Sequence, residues 1–227
     1  MAVAETKLAL LAGASGFVGG YVLEALLAAP DLGRIFAVTR RPLGREHPRL
    51  ANRIVQFDKL GAQLKGITCQ VALCCLGTTR RQAGSQEAFR QVDLDYVLAL
   101  AAAAKAAQAQ RFVVLSSAGA DPESRNFYLR TKGEMERALV GVGFAAVDIL
   151  QPGLLLGWRR EMRPLELAAG FLMPVVNPLL MGAREPYRAI SARTVAAGMV
   201  AAARSGRKGL QRYTYAGIRA LAARRGP

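Results

Sequence analysis

The segment KLALLAGASGFVG, residues 7–19, decides the fold of this chain. The apolar first half of this segment predicts a buried strand. The helical pattern VGGYVLEALLAA begins at the last two residues of the segment and continues beyond them. Glycine lets a backbone turn sharply and approach a pyrophosphate, whose charge is stabilised by the amides and the dipole at a helix start. Tight turns and helix packing also use glycine, so the order of the elements carries the prediction. Strand, glycine turn and helix together predict a dinucleotide site that includes Gly13, Ser15, Gly16 and Gly19.

Strand-like and helical segments alternate after this turn. RIFAVTR, RIVQFD, VALCCLG, RFVVLSS and FAAVDILQPG are predicted as strands two to six, and QVDLDYVLALAAAAKAAQ and TKGEMERALVGV as helices. This alternation predicts right-handed crossovers and a parallel sheet covered on both faces. We therefore predict an α/β, doubly wound, Rossmann-like NAD(P)-binding single domain over residues 1–227. Its parts are a core at about 6–155, a lid or substrate-pocket segment at about 156–188, and a final helix and strand at about 189–217.

Composition limits the classes of protein to which the chain can belong. No apolar run reaches the roughly 18 residues that a membrane-spanning helix needs. Cys69, Cys74, Cys75 and the single histidine have no metal-ligand spacing, which predicts no metal site and a reduced, cytoplasmic protein. The formal net charge of +15 comes from arginines scattered along the chain rather than from a basic tail. We therefore expect no specific nucleic-acid partner.

The end of the predicted second strand carries two arginines. An NAD-binding site typically has an acidic residue there, which holds the ribose hydroxyls of the adenosine half. Arg40 and Arg41 instead suit a 2′-phosphate, because guanidinium groups form charge-assisted bonds with phosphate oxygens. The cofactor is therefore predicted to be NADP(H), the alternative being that both arginines are merely solvated. Asp58, which ends RIVQFD, either accepts a bond from the adenine amino group or caps the following helix.

The predicted fourth strand ends in CCLGTT, at the edge where ligands bind in sheets of this class. The backbone of Leu76, Gly77 and Thr78 is predicted to line the cofactor groove. Cys74 and Cys75 are predicted to be small packed strand residues rather than nucleophiles, since nothing in the sequence activates a thiol there.

Polar residues that can carry chemistry follow the fifth strand. Ser116 and Ser117 end it, and Tyr128 and Lys132 lie four residues apart, which on a helix puts both side chains on one face. A serine, a YxxxK segment and an upstream glycine turn resemble the short-chain dehydrogenase/reductase superfamily. The resemblance implies that Tyr128 is the general acid or base and that Lys132 binds the nicotinamide ribose and makes the phenol more acidic. It implies that the serine bonds to the substrate oxygen.

Several longer strings are more specific. They are CCLGTTR followed by AG, VDLDYVL, LSSAGAD, NFYLRTKGE and PGLLLGWRREMRP. Together they resemble the Tat-interactive protein family of atypical short-chain dehydrogenases/reductases. This resemblance favours Ser117 over Ser116 and implies an NADPH site made by Ser15, Gly16, Phe17, Val18, Arg40, Arg41, Leu76, Gly77, Tyr128, Lys132, Leu155 and Arg163. One departure is Asp93, where extended members of the superfamily often have an asparagine that orders a proton-relay water.

These features lead to competing hypotheses about function. The leading one is an NADPH-dependent oxidoreductase that reduces an unidentified small carbonyl or related substrate, with Tyr128 as proton donor and Ser117 and Lys132 assisting. The alternative is a non-catalytic NADP(H)-binding regulatory or assembly protein, which the altered residue at position 93 and the unassigned pocket favour. A third, nucleic-acid binding through the positive surface, has no recognition motif. The sequence leaves a homo-oligomer or a protein partner open.

Overall fold

Strands and helices alternate along the chain. The computed structural model describes residues 7–157, 177 and 180–224. Within these ranges the strands are β1 Lys7–Ala12, β2 Leu32–Thr39, β3 Leu50–Ile54, β4 Val71–Cys74, β5 Arg111–Leu115, β6 Ala146–Leu150, β7 Leu155–Leu156, β8 Ile190–Ser191 and β9 Gly209–Tyr213. The helices there are α1 Phe17–Ala28, α2 Leu60–Gln63, α3 Arg80–Ala83, α4 Gln86–Arg90, α5 Tyr96–Ala106, α6 Phe127–Val140, α7 Ala192–Arg204 and α8 Tyr215–Ala223. Phe57–Lys59 and Gly182–Tyr187 are 3-10 turns, and Gln91–Asp95 is a π-helical turn.

The strands build one parallel sheet whose order places β1 near its centre. The order is β3-β2-β1-β4-β5-β6-β9, and every neighbouring pair is parallel. β7 and β8 form a separate short pair. Since β1 pairs with β2 on one side and β4 on the other, the winding of the chain reverses there. The connections that leave β1 and β4 diverge and open a crevice, the position at which such sheets bind ligands.

Helices cover both faces of the sheet in a single domain. Ala9 and Leu11 of β1 pack with α1 and α7, whereas Leu10 and Ala12 pack with α5 and α6 on the opposite face. This double burial explains why the strand is a continuous apolar run without polar alternation. No helix within the described residues combines the length and the hydropathy needed to cross a membrane.

The predicted doubly wound parallel sheet is confirmed, with differences at its margins. The third strand is Leu50–Ile54 rather than the predicted 53–58, because the chain enters a 3-10 turn at Phe57. The last strand ends at Tyr213 rather than at about residue 217, and α8 begins at Tyr215. The prediction was too long because the threonine and tyrosine residues there locally favour a strand. Most of the predicted lid segment lies outside the described residues.

Candidate active site

A broad cleft opens at the carboxyl edge of the sheet. Its volume is about 1490 Å³. Typical ligand pockets measure roughly 300 to 1,000 Å³, so this cleft has room for a dinucleotide and a small second ligand. The predicted site residues that line it are Gly13, Ser15, Gly16, Phe17, Val18, Arg40, Arg41, Leu76, Gly77, Thr78, Tyr128, Lys132 and Leu155.

The glycine turn packs its backbone directly against the loop after β4. Gly13 has a φ of +83°, and a Cβ built on it would lie 2.5 Å from the carbonyl oxygen of Cys75. Glycine is required there, because any other residue would combine a strained φ with a backbone clash. Helix α1 begins at Phe17 with no side-chain cap from Gly16 and no acidic residue in its first turn. No carboxylate of the first turn therefore competes with an anion for the positive end of the helix dipole, which favours a pyrophosphate there.

The part of the cleft beside β2 is basic and aromatic. Arg40 and Arg41 are exposed just after the strand, and within the described residues neither forms an ion pair. Phe57 and Tyr96 line the cleft and stack with their ring centroids 5.0 Å apart. Burial raises the pKa of Tyr96, the Asp58 carboxylate raises it further and Arg40 opposes the rise, so these groups lie close together. Stacked rings beside available guanidinium groups suit an adenine and a phosphate.

Tyr128 and Lys132 occupy the first turns of α6. Asn126 caps this helix, and its side-chain oxygen accepts hydrogen bonds from the amides of Tyr128 and Leu129 at 2.9 and 3.3 Å. Tyr128 is half-buried, and its ring centroid lies 5.7 Å from that of Phe89. Lys132 is 4% exposed. Its charge therefore acts on groups in the cleft with little screening by water.

A buried carboxylate, that of Asp93, pairs with Lys132. Its Oδ1 lies 2.7 Å from Lys132 Nζ, and its Oδ2 accepts a 2.8 Å hydrogen bond from the amide of Thr78. Burial lowers the pKa of Lys132, but Asp93, with smaller contributions from Tyr128 and Cys74, raises it more, so the net shift is upward. The ammonium therefore stays charged at neutral pH despite its burial.

The two serines after β5 have different surroundings. Ser116 Oγ donates to Glu136 Oε1 at 2.5 Å, and the buried Glu136 carboxylate also accepts bonds from Gln151 Nε2 at 2.9 and 3.0 Å. The hydroxyl proton of Ser116 is thus committed to this carboxylate. Ser117 is half-buried, and among the described residues its hydroxyl makes only a 3.4 Å contact with the carbonyl oxygen of the next residue. Its proton is available to another acceptor.

The cysteines are packing groups. Burial raises the pKa of the Cys69 thiol to about 11 and that of Cys74 to about 12. Cys75 borders the cleft, and its sulfur lies 3.7 Å from the sulfur of Met199. All three thiols are free. In the part of the chain that the structure describes, no three His, Cys, Asp or Glu side chains are arranged to hold a metal ion.

The family of the chain follows from comparison with known proteins. Residues 9–135, more than half of the chain, match the NAD dependent epimerase/dehydratase family. The chain belongs to this family. Protein HTATIP2 of Rattus norvegicus is 36% identical over 190 residues, which cover 76% of this chain and 78% of the relative. "Protein fmp52, mitochondrial" of Emericella nidulans is 39% identical over 168 residues, which cover 71% and 72%.

These relatives confirm the resemblance to the Tat-interactive branch of atypical short-chain dehydrogenases/reductases. Solved structures share the fold at low identity. "MoeE5 in complex with UDP-glucose and NAD" has a TM-score of 0.66 at 18% identity and covers 91% of this chain and 75% of that chain. Human epimerase family protein SDR39U1 (isoform2) with NADPH has a TM-score of 0.61 at 18% identity, covering 91% and 74%. Membership of the family indicates a nicotinamide dinucleotide, and the choice between NAD and NADP depends on residues of this chain.

Some of the predicted site residues do not border the cleft. Gly19 lies inside α1 and supports the turn, since its Cβ would be 1.9 Å from the carbonyl oxygen of Gly13. Asp58 is exposed in the 3-10 turn. Ser116 borders the cleft, whereas Ser117 does not. Arg163 lies outside the described residues.

Sequence reasoning missed the partners of two cleft residues. Asp93 is foreseen only as an altered relay position, and nothing local reveals its ion pair with Lys132. The sequence did contain a signal for Glu136, the acceptor for Ser116, because Glu136 follows Lys132 by one helical turn and shares the buried face of the helix with Met135 and Leu139. A buried acid at that spacing predicts a polar partner on the neighbouring strand.

Proposed function

We propose that the chain is an NADPH-dependent reductase of a small carbonyl or related unsaturated compound. The observation that carries the proposal is a buried, charged Lys132 one helical turn from Tyr128, in the cleft that begins at the glycine turn. General acid catalysis needs a proton donor beside the reacting atom and a fixed charge that stabilises the donor after it has lost its proton. These two side chains meet both needs.

The residues of the cleft suit NADPH. The glycine turn and the start of α1 would hold the pyrophosphate, and Arg40 and Arg41 would hold the 2′-phosphate. A Cβ on Gly77 would stand 3.4 Å from Asp93 Oδ1 and 3.9 Å from Lys132 Nζ, so glycine there keeps the space beside the ammonium open for a ribose. Bound NADPH supplies a hydride for the substrate carbon.

The chain itself supplies the proton. Tyr128 Oη donates it to the substrate oxygen, so that a carbonyl that also gains a hydride becomes an alcohol. Lys132 stabilises the phenolate by its charge, and its remaining N–H groups bind ribose hydroxyls. Ser117 would hold the substrate oxygen by donating its hydroxyl proton, which no strong acceptor takes up in the described structure, although its side chain stands just outside the lining of the described cleft.

Ser117→Ala is expected to lower turnover by about tenfold to a hundredfold, because a hydrogen bond to an oxygen that gains charge is lost. Ser116→Ala is the matched control, since it removes the same hydroxyl one residue away. We expect it to lower the free energy of unfolding by about 1–3 kcal/mol, because buried Glu136 loses a donor. Steady-state rates and urea unfolding of both variants measure the two effects. Normal turnover by Ser117→Ala with loss in Ser116→Ala would reverse the roles.

Arg40→Ala is expected to weaken NADPH binding by about tenfold to a hundredfold and to leave NADH binding within a few-fold. The reason is that a charge-assisted contact with the 2′-phosphate is lost, and NADH has no such phosphate. Fluorescence titration of both cofactors measures the change. Arg34→Ala is the matched control, because it removes another exposed arginine from the same stretch of chain, away from the cleft. Equal affinity of the wild type for NADPH and NADH would eliminate the phosphate role.

The rival function is a non-catalytic NADP(H)-binding regulator that uses the same cleft. The Asp93 carboxylate favours it, because it offsets part of the positive field of Lys132. A panel of small aldehydes, ketones and enones, followed through NADPH absorbance, separates the two: turnover that depends on Tyr128 supports the reductase. We also propose a cytoplasmic location, on the ground that all three thiols are free.

A further inference from the structure

The buried pair of Lys132 and Asp93 has a role beyond the proposed proton transfer. Asp93 is 0% exposed, and its Oδ1 lies 2.7 Å from Lys132 Nζ. The two charges are therefore in direct contact, although within the described residues the angles at this oxygen are poor for a hydrogen bond. Burying two charges carries a large desolvation cost, and stability alone is a weak reason to keep such a pair.

The backbone around Asp93 is adapted to this contact. Gln91–Asp95 forms a π-helical turn between α4 and α5, and such turns occur frequently at functional sites. The second carboxylate oxygen accepts the 2.8 Å hydrogen bond from the Thr78 amide. Asp93 therefore joins the loop that bears Gly77 to the helix that bears Lys132, which are two walls of the cleft.

We infer that Asp93 is a positioning residue that keeps Lys132 charged and directed into the cleft, where the ammonium binds the cofactor. The inference rests on the proposed function, because it assigns Lys132 to cofactor binding. Asp93 acts through Lys132 rather than on the reacting atoms, since Nζ and the Thr78 amide occupy its two oxygens.

The groups that act on Lys132 Nζ come from three elements. They are Asp93 of the π-helical turn, Tyr128 of α6 and Cys74 of β4. Burial by itself lowers the pKa of Lys132, and Asp93 is the strongest influence in the opposite direction. Of these three groups only Asp93 is a carboxylate. Without its charge, a buried ammonium remains that loses its proton as the pH rises.

The test measures the NADPH affinity of Asp93→Asn and of the wild type by fluorescence from about pH 6 to about pH 9.5. At each pH the affinity of the variant is divided by that of the wild type. Asparagine keeps the size and an acceptor for the Thr78 amide, so the substitution mainly removes charge. We expect this affinity ratio to lie within a few-fold of one at low pH. Above the lowered pKa of Lys132 in the variant, the ratio should fall by about tenfold per pH unit. Asp95→Asn makes the same change at an exposed position of the same turn, and its ratio should stay constant.

A Lys132→Met background tests whether Asp93 acts through the ammonium. Adding Asp93→Asn to Lys132→Met should change NADPH affinity by no more than about twofold at any pH. The double variant has no unpaired buried charge, so it should fold even where Asp93→Asn or Lys132→Met alone does not. A pH-independent loss in Asp93→Asn, or a further loss in the double variant, would overturn the inference, since Asp93 would then act through Thr78 or on the cofactor directly.

Unfolding of the free protein gives a readout that needs no cofactor. In the wild type the pKa of folded Lys132 is raised, so its contribution to stability is constant below about pH 10 and is lost above it. In Asp93→Asn we expect a depressed folded pKa, so the unfolded state binds more protons. The urea midpoint of Asp93→Asn, taken relative to that of the wild type, should then rise as the pH is increased from about 7 to about 10.

The two readouts separate the inference from the proposed function. A wild type that binds no NADPH at any pH would overturn the proposed function. The rising difference in unfolding midpoint would still support Asp93 as the residue that keeps Lys132 charged. A difference that stays flat with pH would overturn that role, whether or not NADPH binds.

Discussion

Tyr128→Phe is expected to slow hydride transfer by about 10² to 10⁴-fold and to leave NADPH affinity within a few-fold. General acid catalysis contributes a rate factor of this size, and phenylalanine has no proton to give. The substitution keeps the ring, whose centroid lies 5.7 Å from that of Phe89, so the start of α6 should remain in place. Binding should persist because, in the proposed function, the glycine turn and the arginines would bind the other end of the cofactor.

The measurement needs an active substrate and a control tyrosine. Single-turnover NADPH oxidation separates hydride transfer from product release. Tyr215→Phe removes a phenolic hydroxyl outside the cleft, at the start of α8, and should retain the wild-type rate. Wild-type turnover by Tyr128→Phe would show that the proton comes from another group. If NADPH binds and a broad carbonyl screen finds no turnover, the non-catalytic rival gains support.

Short-range signals suffice for the sheet and for much of the cleft. The segment KLALLA is apolar throughout because both faces of β1 are covered, and the glycines after it supply the φ and the close approach that the turn requires. Tyr128 and Lys132 share a helix face by spacing alone. These features can be predicted because each depends on residues within about two helical turns of one another.

Contacts between distant segments could not be predicted in the same way. The Asp93–Lys132 pair joins a π-helical turn to α6, and no propensity foretells that a turn will take π geometry. The commitment of Ser116 to Glu136 depends on how α6 lies across the end of β5. The motif gives both serines the same chemistry and the family resemblance favours Ser117, but only the tertiary contact shows that the proton of Ser116 is taken up by Glu136. The predicted strand over 53–58 was wrong for a related reason, because an edge strand has one partner and its ends follow the turn.

Gly19→Ala is expected to weaken NADPH binding by more than about a hundredfold. The added Cβ would lie 1.9 Å from the carbonyl oxygen of Gly13 and 2.7 Å from its carbonyl carbon. These are backbone atoms, which cannot rotate away as a flexible side chain would, so α1 must move from the turn. A displacement of about 1 Å at a binding geometry can cost about 10²-fold, and an overpacked core typically costs about 1–3 kcal/mol.

The adjacent glycine provides a matched control for this prediction. A Cβ on Gly20 would meet its nearest atom, the carbonyl oxygen of Ala14, at an ordinary 3.8 Å. Gly20→Ala should therefore keep NADPH affinity within a few-fold and raise the free energy of unfolding by about 0.5–1 kcal/mol, because alanine favours a helix. NADPH titration and urea unfolding of both variants measure the contrast. If Gly19→Ala binds NADPH as tightly as Gly20→Ala, the close packing of α1 on Gly13 is not what shapes the cofactor turn.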